Sequence, residues 1–233
     1  MKDNLTEEKI TSEMIYDGSV VHLFKDSVRL PDGKTADREL IRHVGAVCIV
    51  PLTDRGTVIV EKQYRYPTGK VLIEIPAGKL EDKSEDRLLA AKRELREETG
   101  YTAGSWRDLG AFYPAPAYSD EYIEMYLASD LKKGEQDLDP DEFLTVSEEP
   151  LSFLLDEVMS GNIEDEKTQL GILKAALILG SLDTGIGSAD SCIDGDDSYT
   201  GVPSYSAGDL EGACWEEDDD DDFEIPDGDE YDD

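Results

Sequence analysis

Residues 93–101 read Arg-Glu-Leu-Arg-Glu-Glu-Thr-Gly-Tyr, with glutamates at Glu94, Glu97 and Glu98. On an α-helix, side chains three and four residues apart share a face, so three carboxylates are aimed at one small volume. Helix stability does not ask for this, because like charges at that spacing repel. An acidic run is ordinarily a solvated helix face, and the flanks decide otherwise here. Ile75-Pro76-Ala77-Gly78-Lys79 reads as an apolar strand ending in a Pro/Gly turn. Ser84 can cap a helix predicted over 85–99, and Gly100 ends it as a helix-terminal glycine should. A strand, a glycine loop and a helix with clustered carboxylates suit a hard divalent cation. Mg²⁺ takes oxygen ligands, keeps several waters and is often completed by substrate phosphates; Mn²⁺ is the second choice.

Gly78, Glu85, Arg93-Glu94-Leu95, Glu97-Glu98 and Gly100-Tyr101 together resemble the Nudix box. That family hydrolyses nucleoside diphosphates linked to another group. Its pattern has five residues between the first glycine and the first glutamate, whereas Lys79 to Ser84 makes six. The extra residue falls in the loop, so the helix keeps its register. The resemblance implies an α/β/α sandwich on a mixed sheet, and Glu94 and Glu98 as the main metal ligands. Glu97 would be another ligand or act on the attacking water, and the main-chain carbonyl of Ala77 would join the ligands. Arg93 would orient the glutamates by salt bridging, and Glu85 would be structural.

Over about residues 12–180 the chain is similar to the ADP-ribose pyrophosphatase subfamily. Gln63-Tyr64-Arg65 ends a strand before the box, His43-Val44-Gly45-Ala46-Val47 opens the sheet, and Pro116 lies fifteen residues beyond Tyr101. Asp139-Pro140-Asp141-Glu142-Phe143 matches the acidic loop that supplies a catalytic glutamate, here Glu142, with Asp141 next in line. The resemblance assigns Arg65 to the diphosphate and Arg38 and Pro116 to the substrate. Arg38 could instead pair with Glu39. The segment Pro114–Glu121 departs from the subfamily's form in having Ala115 and Ala117. The function implied is Mg²⁺-dependent hydrolysis of ADP-ribose to AMP and ribose 5-phosphate. The rivals are another nucleoside diphosphate sugar, or a non-catalytic nucleotide-binding module of the same fold. All three glutamates are retained, which a pure binder would not need.

Charge and composition exclude other classes. The 233 residues carry a formal net charge of −34. Residues 181–233 hold 20 acids and no Lys or Arg, so the body carries −14. Such acidity argues against nucleic acid or an anionic membrane as partner. The start of the chain is charged rather than signal-like, and Leu170 to Leu179 is too short for a membrane span. Three cysteines make no paired framework, and a reducing cytoplasm is the simplest fit. His22 and His43 have no helical metal-binding partner, and no Ser-His-Asp set or dinucleotide fingerprint is present.

Three regions are expected. Residues 1–43 form an N-terminal β region, with Val20–Leu30 and Thr35–His43 as a hairpin about Pro31-Asp32-Gly33-Lys34. In the subfamily this region is exchanged in a homodimer, which Val20, Leu23, Val28 and Leu30 would help bury. Residues 44–180 form the catalytic domain. Its expected strands are Ala46–Pro51, Thr57–Tyr64, Val71–Ile75, Trp106–Phe112, Tyr122–Ala128 and Phe143–Val146. Helices are expected at Leu151–Met159 and Asp165–Leu179. Residues 181–233 read as a disordered acidic tail.

Overall fold

The six-residue apolar run Ala46–Pro51 can be satisfied only by cover on both faces. In the computed structural model, which describes residues 5–138, 140 and 142–180, this run is strand β4 (Ala46–Pro51), and every residue in it is buried. Its side chains alternate between two cores. Val47 and Ile49 pack with Leu80, Ala90, Ala91 and Leu95 under the first helix. Cys48 and Val50 face the larger core, with Met125, Leu154, Ile172 and Ala175.

Two sheets build the catalytic body. The mixed one has the order β7 (Ala77–Lys79), β4, β9 (Ile123–Lys133), β8 (Tyr101–Phe112), with only β4 and β9 parallel. The antiparallel one has the order β10 (Leu144–Pro150), β5 (Thr57–Arg65), β6 (Lys70–Glu74). Helix α1 (Arg87–Thr99) covers one face of the mixed sheet, and α2 (Leu151–Met159) and α3 (Glu166–Ile178) join the larger core. Gly171 lets α3 approach closely, since a β-carbon there would crowd Ile75 and Val50. This is the expected α/β sandwich on a mixed sheet.

Several boundaries differ from expectation. Helix α1 begins at Arg87, and its cap is Asp86, whose carboxylate accepts from the Leu89 N–H; Ser84 instead bonds Asp82 in the preceding turn. A carboxylate two residues nearer the helix outcompetes the serine as cap. Gly100 does end the helix, in the left-handed region at φ 74°. Ala77–Lys79, expected as a turn, pairs with Ala46–Cys48 as β7. Strand β8 starts at Tyr101, directly after the helix.

In the N-terminal region the expected hairpin is present as two antiparallel strands, and a further strand pairs beside it to make a three-stranded sheet. Strand β1 (Glu8–Asp17) precedes β2 (His22–Arg29) and β3 (Thr35–Ile41). All ten residues of β1 are exposed, including Ile10, Met14, Ile15 and Tyr16. With no buried face, β1 lacks the clean alternation that identifies a half-buried strand. Of the four apolar residues expected to need cover, Val28 is buried and Val20 is exposed. The predicted acidic tail lies outside the described residues.

Candidate active site

The glutamates of α1 are brought to one cavity by the turn that precedes the helix. Ala77, Gly78 and Lys79 on β7 form one wall, Glu94, Glu97 and Glu98 another, and Arg93, Asp137 and Glu142 complete a space of about 290 Å³. Gly78 leaves room for Glu94: a β-carbon there would overlap the carboxylate where it now lies. Glu98 Oε2 accepts the Ala77 N–H at 2.9 Å, which ties the helix to β7. Arg93 Nη1 donates to Glu94 Oε1 at 2.6 Å and to Glu97 Oε2 at 3.3 Å, and Nη2 reaches Glu85 Oε1 at 3.3 Å. Glu85 also accepts the Glu81 N–H at 2.7 Å and so closes the loop that holds the extra residue.

Glu142 is far along the chain and is delivered by a strap. Gly134 N–H donates to Gly100 O, Gln136 Nε2 to Glu98 O, and Asp137 N–H to Glu97 O. These are carbonyls at the end of α1, which lack partners within the helix. The chain then returns through Glu142 to β10, where Leu144 is opposite Gln63. The neighbouring candidate Asp141 lies outside the described residues.

Electrostatics in the cavity are unbalanced. Burial, opposed by Arg93, pushes Glu94 up to about 7. Burial also drives Glu98 well above the carboxylate range, helped by Glu61, Glu94 and Glu142. Among the described residues no three His, Cys, Asp or Glu side chains yet converge on one ion-sized point. The reason lies in the bonds already named: Arg93 holds Glu94 and Glu97 while Ala77 holds Glu98. The donor set nevertheless fits a divalent cation, because it is all oxygen, buried and short of positive charge.

Arg65 and the pair Arg38 and Pro116 lie elsewhere. Arg65 lines an adjoining space of about 280 Å³ that shares Ala77, Gly78 and Lys79 with the glutamate cavity and also includes His43 and Lys167. Its Nε and Nη2 bind both oxygens of Glu74 at 2.7 and 2.8 Å. Lys167, on α3, also bonds Glu74, and reaches Asp165 at 2.9 Å. Arg38 and Pro116 line a third cavity of about 340 Å³ that shares no residue with the other two. Arg38 pairs with Glu7, at 3.0 Å from Nε and 2.5 Å from Nη2, and not with Glu39. Strand β3 carries it onto the N-terminal sheet, away from the glutamates of the same chain.

Sequence reading missed Glu61 of β5. It is 1% exposed, and its Oε2 has no hydrogen-bond partner. Its signal was present as a carboxylate directly after the apolar run Val58-Ile59-Val60, on a strand buried through that position.

Comparison with known proteins bears on this geometry. Residues 42–170 match the model of the NUDIX domain, and residues 7–41 that of the nucleoside diphosphate sugar hydrolase N-terminal domain. The chain is 43% identical over 180 residues to an ADP-ribose pyrophosphatase of Bacillus subtilis, covering 75% of this chain and 97% of that protein. It is 43% identical over 171 residues to a methanol dehydrogenase activator of Bacillus methanolicus, covering 72% and 92%. A crystal structure of an ADP compounds hydrolase superposes with a TM-score of 0.67 at 21% identity, covering 75% of this chain and 95% of the other, a likeness of fold.

Proposed function

The chain belongs to the Nudix family, and from that premise we propose that it hydrolyses the diphosphate bond of ADP-ribose to AMP and ribose 5-phosphate, with Mg²⁺ or, second, Mn²⁺. The observation that carries this reading is the convergence of Glu94, Glu97, Glu98, Glu142 and Ala77 on one cavity, beside a second lined by Arg65 and Lys167. The similarity to an ADP-ribose pyrophosphatase over nearly its whole length supports the choice of substrate.

A bound Mg²⁺ would neutralise charge on the diphosphate oxygens and favour hydroxide over water. Glu94, Glu98 and the Ala77 carbonyl would hold it. Arg93 keeps Glu94 and Glu97 in one orientation before substrate arrives, so little reorganisation is needed. Glu142 acts as general base on the attacking water, with Glu97 as a ligand or as the alternative base. Arg65, held flat by Glu74, presents its remaining nitrogen to the distal phosphate. A panel of ADP-ribose, UDP-sugars and GDP-sugars assayed with Mg²⁺ and with EDTA tests the proposal. Cleavage of ADP-ribose to AMP, abolished by EDTA, is expected. Preference for another sugar nucleotide would overturn the substrate, and no cleavage of any would favour a binding module.

The working unit we infer is a homodimer in the cytoplasm. Strand β1 has no buried residue and exposes Ile10, Met14, Ile15 and Tyr16, apolar area that a second copy would cover. Arg38 and Pro116 would then complete the partner's site, consistent with their separation from the glutamates within one chain. Light scattering that finds a fully active monomer at micromolar concentration would overturn this. Neither nucleic acid nor membrane is proposed as a partner: the net charge is −34, and no described helix is long and apolar enough to cross a bilayer.

A further inference from the structure

Strand β5 puts alternate residues on opposite faces. Val58 and Val60 join the larger core, so Glu61 is turned the other way, onto the face shared with Gln63 and Arg65. In the sheet it is opposite Glu74 on β6 and Val146 on β10. It is as buried as any apolar core residue, yet one carboxylate oxygen has no partner. An unpaired buried polar atom costs on the order of 1–3 kcal/mol.

The cations nearby are already committed. Arg65 and Lys167 both serve Glu74, and Lys167 also serves Asp165. Arg93 serves Glu85, Glu94 and Glu97. Among the described residues neither Glu61 nor Glu98 makes an ion pair. The geometry links them: Glu61 is opposite Glu74, whose strand runs on through Ile75 and Pro76 to Ala77, the residue bonded to Glu98, and the negative charge of Glu61 bears on Glu98. Glu61 and Glu98 are thus two buried carboxylates that none of Arg65, Lys167 and Arg93 pairs.

We propose that Glu61 is a further ligand of the divalent cation, supplying its unpartnered Oε2 from β5 while Glu94 and Glu98 supply oxygens from α1. The cation would thereby cross-link the antiparallel sheet to the catalytic helix. A ligand from the opposite sheet is what the helix cannot provide, since Glu94, Glu97 and Glu98 all approach from one side. The proposal rests on the divalent-metal reading above and adds to it the one buried carboxylate that reading leaves unused.

The test is Mn²⁺ binding, followed by the electron paramagnetic resonance of free Mn²⁺, with the full chain and with Glu61→Gln and Glu61→Met. Both variants preserve volume, and Met has no oxygen to offer. Glu61→Met should weaken Mn²⁺ affinity by roughly 10–100-fold, the scale at which groups supporting a metal act, and Glu61→Gln by less. The rise in melting temperature on adding Mn²⁺ should shrink in the same order. A merely structural Glu61 predicts a changed melting temperature with the same Mn²⁺ affinity and the same Mn²⁺-induced rise. That result overturns the proposal and leaves the metal reading intact. A wild-type chain that binds no Mn²⁺ overturns both.

Discussion

Glu74 and Glu98 are both almost fully buried, at 1% and 4% exposure, yet their surroundings push them in opposite directions. Burial alone would raise either one. At Glu74 the guanidinium of Arg65 and the ammonium of Lys167 outweigh burial and hold the carboxyl below its ordinary range. At Glu98 one backbone N–H from Ala77 opposes burial and three like charges, and the carboxyl is driven far up. The first region is complete, with its charges cancelled by partners from α3 and β5. The second has charges gathered and left uncancelled. A fold that can neutralise a buried carboxylate at β6 does not do so at α1, and that difference is what the proposed divalent cation would resolve.

The largest expected effect separates the two by activity. Glu98→Gln keeps the Ala77 contact but removes a charged ligand, and turnover should fall on the order of 10³-fold or more. Near wild-type turnover with Mg²⁺ would remove Glu98 from the metal site. Glu74→Gln should act mainly on stability and, through Arg65, on KM. It leaves two cations against a neutral amide, and denaturant unfolding should show a loss of about 3–5 kcal/mol. A stable Glu74→Gln would mean that the Arg65–Glu74–Lys167 network is not the anchor described here.

Glu142→Gln sharpens the picture further. It should lower turnover by at least about 10²-fold, with little change in KM, as expected of a positioned base. If turnover is unchanged there but collapses in Glu97→Gln, the base lies on α1.

The pH dependence should be smaller and of opposite sign for the two regions. Glu94 is raised from an ordinary 4.5 to about 7, so in EDTA its burial favours the folded state at low pH, and that contribution is lost as pH rises from 4.5 to about 7. Glu74 is lowered, so its contribution is present above 4.5 and is lost as pH falls through its folded value. Melting in EDTA across pH 3 to 8 should show a fall at each end, and Glu94→Gln should lessen only the upper one, without abolishing it, because Glu61 and Glu98 are raised as well.

How much of this was legible in the sequence follows the same division. The α1 cluster could be read because helical spacing alone puts Glu94, Glu97 and Glu98 on one face, and Gly100 marks the helix end. Strand β4 and helix α2 were equally plain, from a continuous apolar run and from helical periodicity. The burial of Glu61 was signalled by the apolar run Val58-Ile59-Val60 before it, but its surroundings were not, because only strand pairing puts it beside Glu74. The Arg65–Glu74–Lys167 network spans three elements, and no local pattern announces it. Strand β1 was missed for a different reason. Its apolar residues face outward in the single chain, so the alternation that reports a buried face is absent.

The most direct test of the central claim is the melting temperature of wild type, Glu98→Gln and Glu74→Gln at pH 8, each in EDTA and in excess Mg²⁺. The account predicts a rise with Mg²⁺ in wild type, a similar rise in Glu74→Gln from a lower starting point, and little or none in Glu98→Gln, which keeps its stability in EDTA. An equal rise in all three, or a Glu98→Gln chain that is severely destabilised in EDTA, would show that Glu98 is a structural carboxylate like Glu74 and that the α1 cluster is not built around a divalent cation.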